Sequence, residues 1–239
     1  MYYGWNPWHG CKKISPGCKN CFVHFLDKVR NAPESIYKVK TKFSYPIQKD
    51  KNGNYKIPSN VQVGTCFTSD FFLEEADGWR NEAWKYIKER TDVEFLIPTK
   101  RIFRFKDCIP EDWEEGYTNV FICVSVENQE MADQRIPILL DAPIQKKGIF
   151  LAPLLEDINI SRYLETKKIA LVSVGGESYK NARECNFDWV KHIKEQCEAY
   201  QTPFDFHQTG SNFIKDGKRY TIPHKKEYEQ AKKAFNKKA

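Results

Sequence analysis

The order of apolar segments predicts an α/β fold: one domain built as a partial or complete TIM-like (β/α) barrel of about six or seven parallel strands. Three observations predict it. Strand-type segments alternate with stretches of helical periodicity, and such chains pair their strands in parallel through crossover helices. No linker interrupts the run, so a single domain is expected over 1–239, with a cysteine loop at 5–21 and a basic tail at about 224–239. Polar residues gather where the strand-type segments end, which is where parallel α/β folds bind their ligands. An open doubly wound sheet is the second architecture that fits the same alternation.

The elements follow in order. Residues 22–30 carry an apolar stripe at Phe22, Phe25, Leu26 and Val29, the spacing of a helix. Residues 49–59, with Asp50-Lys51-Asn52-Gly53-Asn54, form a surface turn or hairpin. Residues 61–67 are strand-like, and 79–90 return to helical spacing through Trp79, Ala83, Tyr86 and Ile87. A short strand at 94–98 precedes a β-branched, aromatic strand at 119–126. Residues 131–140 are helical, bent or ended by Pro137. Buried-type strands follow at 147–151 and 169–174, then the clearest amphipathic helix at 187–200 and a last strand at 204–207.

Composition excludes several classes. A hydrophobic share of 41% is enough for a packed core and rules out a disordered chain. No apolar run reaches the length of a membrane span, and Met1-Tyr2-Tyr3-Gly4-Trp5 lacks the basic and apolar regions of a signal peptide. The expectation is a cytoplasmic protein without a membrane. Eight cysteines in that compartment are not a disulfide framework. Cys66, Cys108, Cys123, Cys185 and Cys197 sit in or near apolar runs and are expected as small buried hydrophobes.

Cys11, Cys18 and Cys21 differ. Six and then two residues separate them, in a loop with Pro7, Gly10, Pro16 and Gly17. A structural zinc site closes with four ligands, whereas a centre that must take up substrate keeps a position open. Three thiols therefore predict a metal centre with a vacancy, and His9 is the candidate fourth ligand if the site is closed zinc. The net charge is +6, with lysines collecting at the end of the chain; nucleic acid is a possible partner, and a solvated helix end is the simpler reading.

The strand ends read Thr68-Ser69-Asp70, Thr99-Lys100-Arg101, Ser125-Val126-Glu127-Asn128, Gly175-Gly176-Glu177-Ser178 and Gln208-Thr209-Gly210. Singly each is an ordinary turn or cap. Five of them at one end of a sheet predict a shared pocket. Two glycines directly after a strand allow close backbone approach to a ligand, and His207 ends a strand where it would face the same pocket. Neither a phosphate loop nor a dinucleotide fingerprint is present.

These segments, with Trp5-Asn6-Pro7, Arg135, Pro153-Leu154-Leu155 and Ala182-Arg183, resemble the phage-associated three-cysteine-motif family of radical SAM-like proteins over nearly the whole chain. Phe22 stands where that family has a tyrosine, and Ala152 where it has an acid. The resemblance implies an iron–sulfur enzyme in which Cys11, Cys18 and Cys21 hold a [4Fe–4S] cluster. That cluster would bind and reductively cleave S-adenosylmethionine with an external one-electron donor, to act on an unknown substrate. It implies cofactor contacts from Asp70, Ser125, Glu127, Gly175, Gly176 and Glu177. Lys100, Arg101, Asn128, Arg135 and Gln208 are left for an anionic or amide-bearing substrate. The alternatives are a zinc-stabilised binding module without catalysis and a nucleic-acid-acting partner in a phage modification or defence system.

Overall fold

The computed structural model describes residues 3–33 and 35–235. The chain begins with strands β1 (Tyr3–Trp5) and β2 (Trp8–His9), then helix α1 (Phe22–Arg30) and strand β3 (Tyr37–Lys38). The repeating part follows: β4 (Gln62–Thr65), α2 (Asp77–Glu89), β5 (Glu94–Thr99), α3 (Phe105–Cys108), β6 (Val120–Ser125), α4 (Gln129–Asp141), β7 (Lys146–Leu151), α5 (Ser161–Leu164) and β8 (Ile169–Gly175). It continues through β9 (Cys185–Asn186), α6 (Phe187–Ala199) and β10 (Phe204–Gln208), and closes with β11 (Asn212–Lys215), β12 (Lys218–Thr221) and α7 (Glu227–Ala234).

Seven strands form one all-parallel sheet in the order β1-β4-β5-β6-β7-β8-β10, curled strongly into a half-barrel. This is the partial TIM-like barrel that the alternation predicts. Strand β6 explains why its sequence is apolar without interruption: all six of its residues are buried. Val120, Ile122 and Val124 join the main core beneath the helices, while Phe121 and Cys123 join Leu96 in a separate cluster on the other face. A strand covered on both faces has no reason to alternate.

Three elements differ from expectation. Residues 3–5, of which the expected loop took in only Trp5, are an edge strand: β1 pairs in parallel with β4, and the fully buried Trp5 donates its indole N–H to the Phe43 carbonyl at 2.9 Å. Helix α4 neither ends nor breaks at Pro137, since it runs on to Asp141. Buried Ile136, Leu139 and Leu140 anchor the turn around the proline, so packing outweighs the missing hydrogen bond. Strand β10 is not the last, because β11 and β12 follow as a hairpin turned by Asp216 and Gly217, both at positive φ. An Asp-Gly pair between two strand-like runs is a hairpin signal.

The basic end is a docked helix. In α7, Ala231 and Ala234 are buried, Glu227 is 1% exposed, and Lys233 pairs with Glu229. Residues 236–239 of the expected tail lie outside the described residues. Among the described residues no helix is long and apolar enough to cross a membrane.

Candidate functional site

The carboxyl ends of β4, β5, β6 and β8 carry acidic and basic residues that the fold would otherwise keep in water. Asp70, Glu127 and Glu177 are 4%, 0% and 6% exposed, and each is closed by its own arginine. A buried carboxylate survives only when paired and hydrogen-bonded, and here every partner also ties down a loop.

Asp70 follows β4 in the sequence. Its Oδ1 accepts from the Thr99 hydroxyl at 2.8 Å and the Phe72 N–H at 3.0 Å; its Oδ2 accepts from the Lys100 N–H at 2.9 Å. The Arg101 guanidinium lies 3.3 Å from Oδ2 and reaches on to the Lys12 carbonyl at 2.7 Å and the Cys11 sulfur at 3.5 Å. One carboxylate thus joins the ends of two strands to the cysteine loop.

Glu127, after β6, accepts from the Gly17 N–H at 2.8 Å and from Arg135 at 2.9 Å; the same Arg135 nitrogen donates to the Ser125 carbonyl at 2.6 Å. Burial pushes this carboxyl up, but the Ser15 hydroxyl, Arg135 and the Gly17 N–H outweigh burial and hold it below the ordinary glutamate value. Gly17 has no room for a side chain, since a Cβ there would lie 2.9 Å from the Glu127 carboxyl carbon. Glu177, after β8, accepts from Asn20 at 3.0 Å and from the Arg183 backbone N–H at 2.8 Å, and pairs with the Arg183 guanidinium. It is likewise held low: burial opposes, while Arg183 and Asn20 prevail.

The other expected site residues fall as follows. The Asn128 side chain caps α4, its Oδ1 accepting from the Met131 N–H at 2.9 Å. Gln208 donates to the Gly176 carbonyl at 2.7 Å. The space that Gly175 and Gly176 leave is filled by the chain itself: a Cβ would meet the His207 ring at 2.4 Å and the Thr209 carbonyl at 2.3 Å. His207 lies 2.9 Å from the Ser173 hydroxyl, and burial lowers its proton affinity despite Asp205. Ser125 ends β6 on the face that carries Phe121 and Cys123. Lys100 is half-buried at the end of β5 and forms no ion pair among the described residues.

The cysteine loop requires the main correction. Among the described residues no group of three or more His, Cys, Asp or Glu side chains is arranged to hold a metal ion. The polar contacts of the three thiols differ. The Cys11 sulfur takes Arg101 and the Lys12 carbonyl, Cys18 lies 3.8 Å from the Ser15 hydroxyl, and Cys21 is the N-cap of α1 without a side-chain capping hydrogen bond. Burial pushes the Cys11 thiol up to about 11, against Arg101, and raises Cys21 as well. His9, the candidate fourth ligand, is engaged by Asp27 at 2.9 Å. The expected [4Fe–4S] cluster, the S-adenosylmethionine chemistry and the radical enzyme built on them are therefore withdrawn, as is the zinc-stabilised module. Cys66, Cys108, Cys123, Cys185 and Cys197 are individually buried.

The sequence marks Thr99 as a strand-end residue, Gly17 and Asn20 as loop residues and Arg183 as a motif residue, but gives none of them a role in the site. Their signal was faint, because each acts through a backbone group or a partner distant in the chain. A family model described as a protein of unknown function, DUF5131, matches residues 2–237. This match replaces the resemblance to the three-cysteine-motif radical SAM-like family, for which the structure offers no metal-holding signature. No curated protein and no solved structure matches the chain.

Proposed function

The chain belongs to this DUF5131 family of unknown function, and we propose from its own geometry that the carboxyl end of the half-barrel binds a small polar molecule carrying an anionic group. One observation carries the reading. The three carboxylates at this end are each paired with an arginine, and Lys100, which acts on Glu127 only through space, is a half-buried cation without an ion-pair partner within 4 Å among the described residues. A cation placed where water is partly excluded attracts an anion more strongly than one on the open surface.

In this reading Lys100 supplies the charge and the Ser125 hydroxyl at the end of β6 supplies a neutral hydrogen bond. Asp70, Glu127 and Glu177 act as positioning residues, holding the strand ends and the cysteine loop around the ligand. Their arginines are satisfied within the protein and add no free charge.

Titration calorimetry with inorganic phosphate, a nucleoside monophosphate and a dicarboxylate tests it on the wild type and on Lys100→Ala. A charge-assisted hydrogen bond contributes about 1.5–3 kcal/mol, so the variant should bind the preferred anion about tenfold more weakly or worse. Equal affinity in the two proteins, or no binding of any of these anions by the wild type, would overturn the reading.

A further inference from the structure

Within the cysteine loop, Cys18 and Cys21 are separated only by Lys19 and Asn20. Cys18 ends a single 3₁₀ turn, Pro16–Cys18, and Cys21 is the N-cap of α1. The Cys21 N–H donates to the Cys18 carbonyl at 3.4 Å, which closes a four-residue turn. A turn of this kind holds its end Cα atoms within about 7 Å, and a disulfide needs roughly 4.4–6.8 Å. The two thiols are unequal in access. Cys21 is partly exposed, and its side chain makes no capping hydrogen bond at the start of α1. Cys18 is 8% exposed. Cys11 lies seven residues before Cys18, outside this turn, and its sulfur is held by Arg101.

We propose that Cys18 and Cys21 form a redox-responsive dithiol that closes to an intrachain disulfide when it meets a low-molecular-weight disulfide. The more accessible Cys21 thiol loses its proton to solvent, and its sulfur attacks one sulfur of the oxidant, forming a mixed disulfide and releasing one thiolate. The Cys18 thiolate then attacks the Cys21 sulfur, forming the intrachain bond and expelling the second thiolate. The chain gives up two protons and two electrons, and the oxidant becomes two thiols. Disulfides in reducing compartments are characteristically transient and redox-sensing.

The location gives closure a consequence. The residues just before and between the pair, Gly17 and Asn20, hold Glu127 and Glu177. Bond formation would therefore reset the loop against two strand ends. The inference does not depend on what the mouth binds, because the pair lies entirely within one short turn.

The full-length chain is equilibrated in mixtures of reduced and oxidised glutathione, alkylated, digested with trypsin and analysed by mass spectrometry. Lys13, Lys19 and Lys28 place Cys18 and Cys21 in separate tryptic peptides, and Lys12 separates Cys11 from both. The expected result is a disulfide-linked pair, 14–19 joined to 20–28, that replaces the alkylated forms as the oxidised fraction rises and disappears on adding a dithiol reductant. Cys11→Ser should close as readily, and Cys18→Ser should stop at a glutathione adduct on Cys21. The wild-type measurement stands by itself should either variant fail to fold. Full alkylation of both thiols at every ratio, a mixed disulfide that never resolves, or a link that involves Cys11 would overturn the proposal.

Discussion

Glu127 is the residue on which most of the site's architecture converges. Its two oxygens hold Gly17 of the cysteine loop and Arg135 of α4, and Glu127 itself is fully buried. Glu127→Gln leaves Arg135 buried without its counter-charge, and removing one partner of a buried pair costs about 3–5 kcal/mol; urea unfolding would measure it. The pH dependence has a defined sign. The folded carboxyls of Glu127 and Glu177 lie below the ordinary value of about 4.3. Their contribution is present in full above that value and is lost as pH falls through the depressed folded values. Wild-type stability should fall steeply below about pH 4, and Glu127→Gln should show a shallower slope there. A second change tests the loop alone. Gly17→Ala places a methyl against the Glu127 carboxyl and should cost about 1–3 kcal/mol as a local overpacking. Parallel acid slopes in wild type and Glu127→Gln would refute this assignment.

At the scale of elements, the strand–helix alternation was legible wherever a segment was long and its period clear. The helices at 22–30 and 187–199 and the strands β5 to β8 lie within a residue or two of their expected bounds. The failures share a cause. Strand β1 has three residues, too few to carry a period, and exists because β4 offers it an edge. Helix α4 has local propensity against it at Pro137, and buried contacts decide otherwise. Pro137→Ala should therefore stabilise the protein, by no more than about 3 kcal/mol, the full interior penalty of proline relative to alanine. A raised denaturant midpoint with an unchanged slope is the expected measurement. No gain would mean that α4 is already relaxed around the ring.

For the whole molecule, the expectation of one domain over 1–239 becomes a proposal with a thermal signature. The main core runs without a break from Trp5 through the sheet to Phe213 and Ala234, so heating should give one transition, coincident by fluorescence and circular dichroism. Helix α7 completes this unit. Glu227 accepts from the hydroxyls of Ser178 and Ser211, and Phe235 packs on Phe187 and Phe206. Truncation after residue 222 uncovers these aromatic rings and should produce binding of a hydrophobic dye at temperatures where the full chain binds none. Two separate transitions in the intact chain would refute the single unit.

Local information sufficed for the class of fold, because hydrophobic period and turn chemistry act between near neighbours. It also sufficed to mark Asp70, Lys100, Arg101, Glu127 and Glu177 as strand-end groups. The carboxylate–arginine pairing did not follow from it: Glu127 meets Gly17 across 110 positions and Glu177 meets Asn20 across 157. Nor did the fate of the thiols. Spacing grouped Cys11, Cys18 and Cys21, whereas the folded loop gives the sulfurs different hydrogen-bond partners and, among the described residues, leaves no group of three suited to a metal. A coordination site depends on directions in space, and side-chain directions are settled only when distant strands, loops and helices close around them.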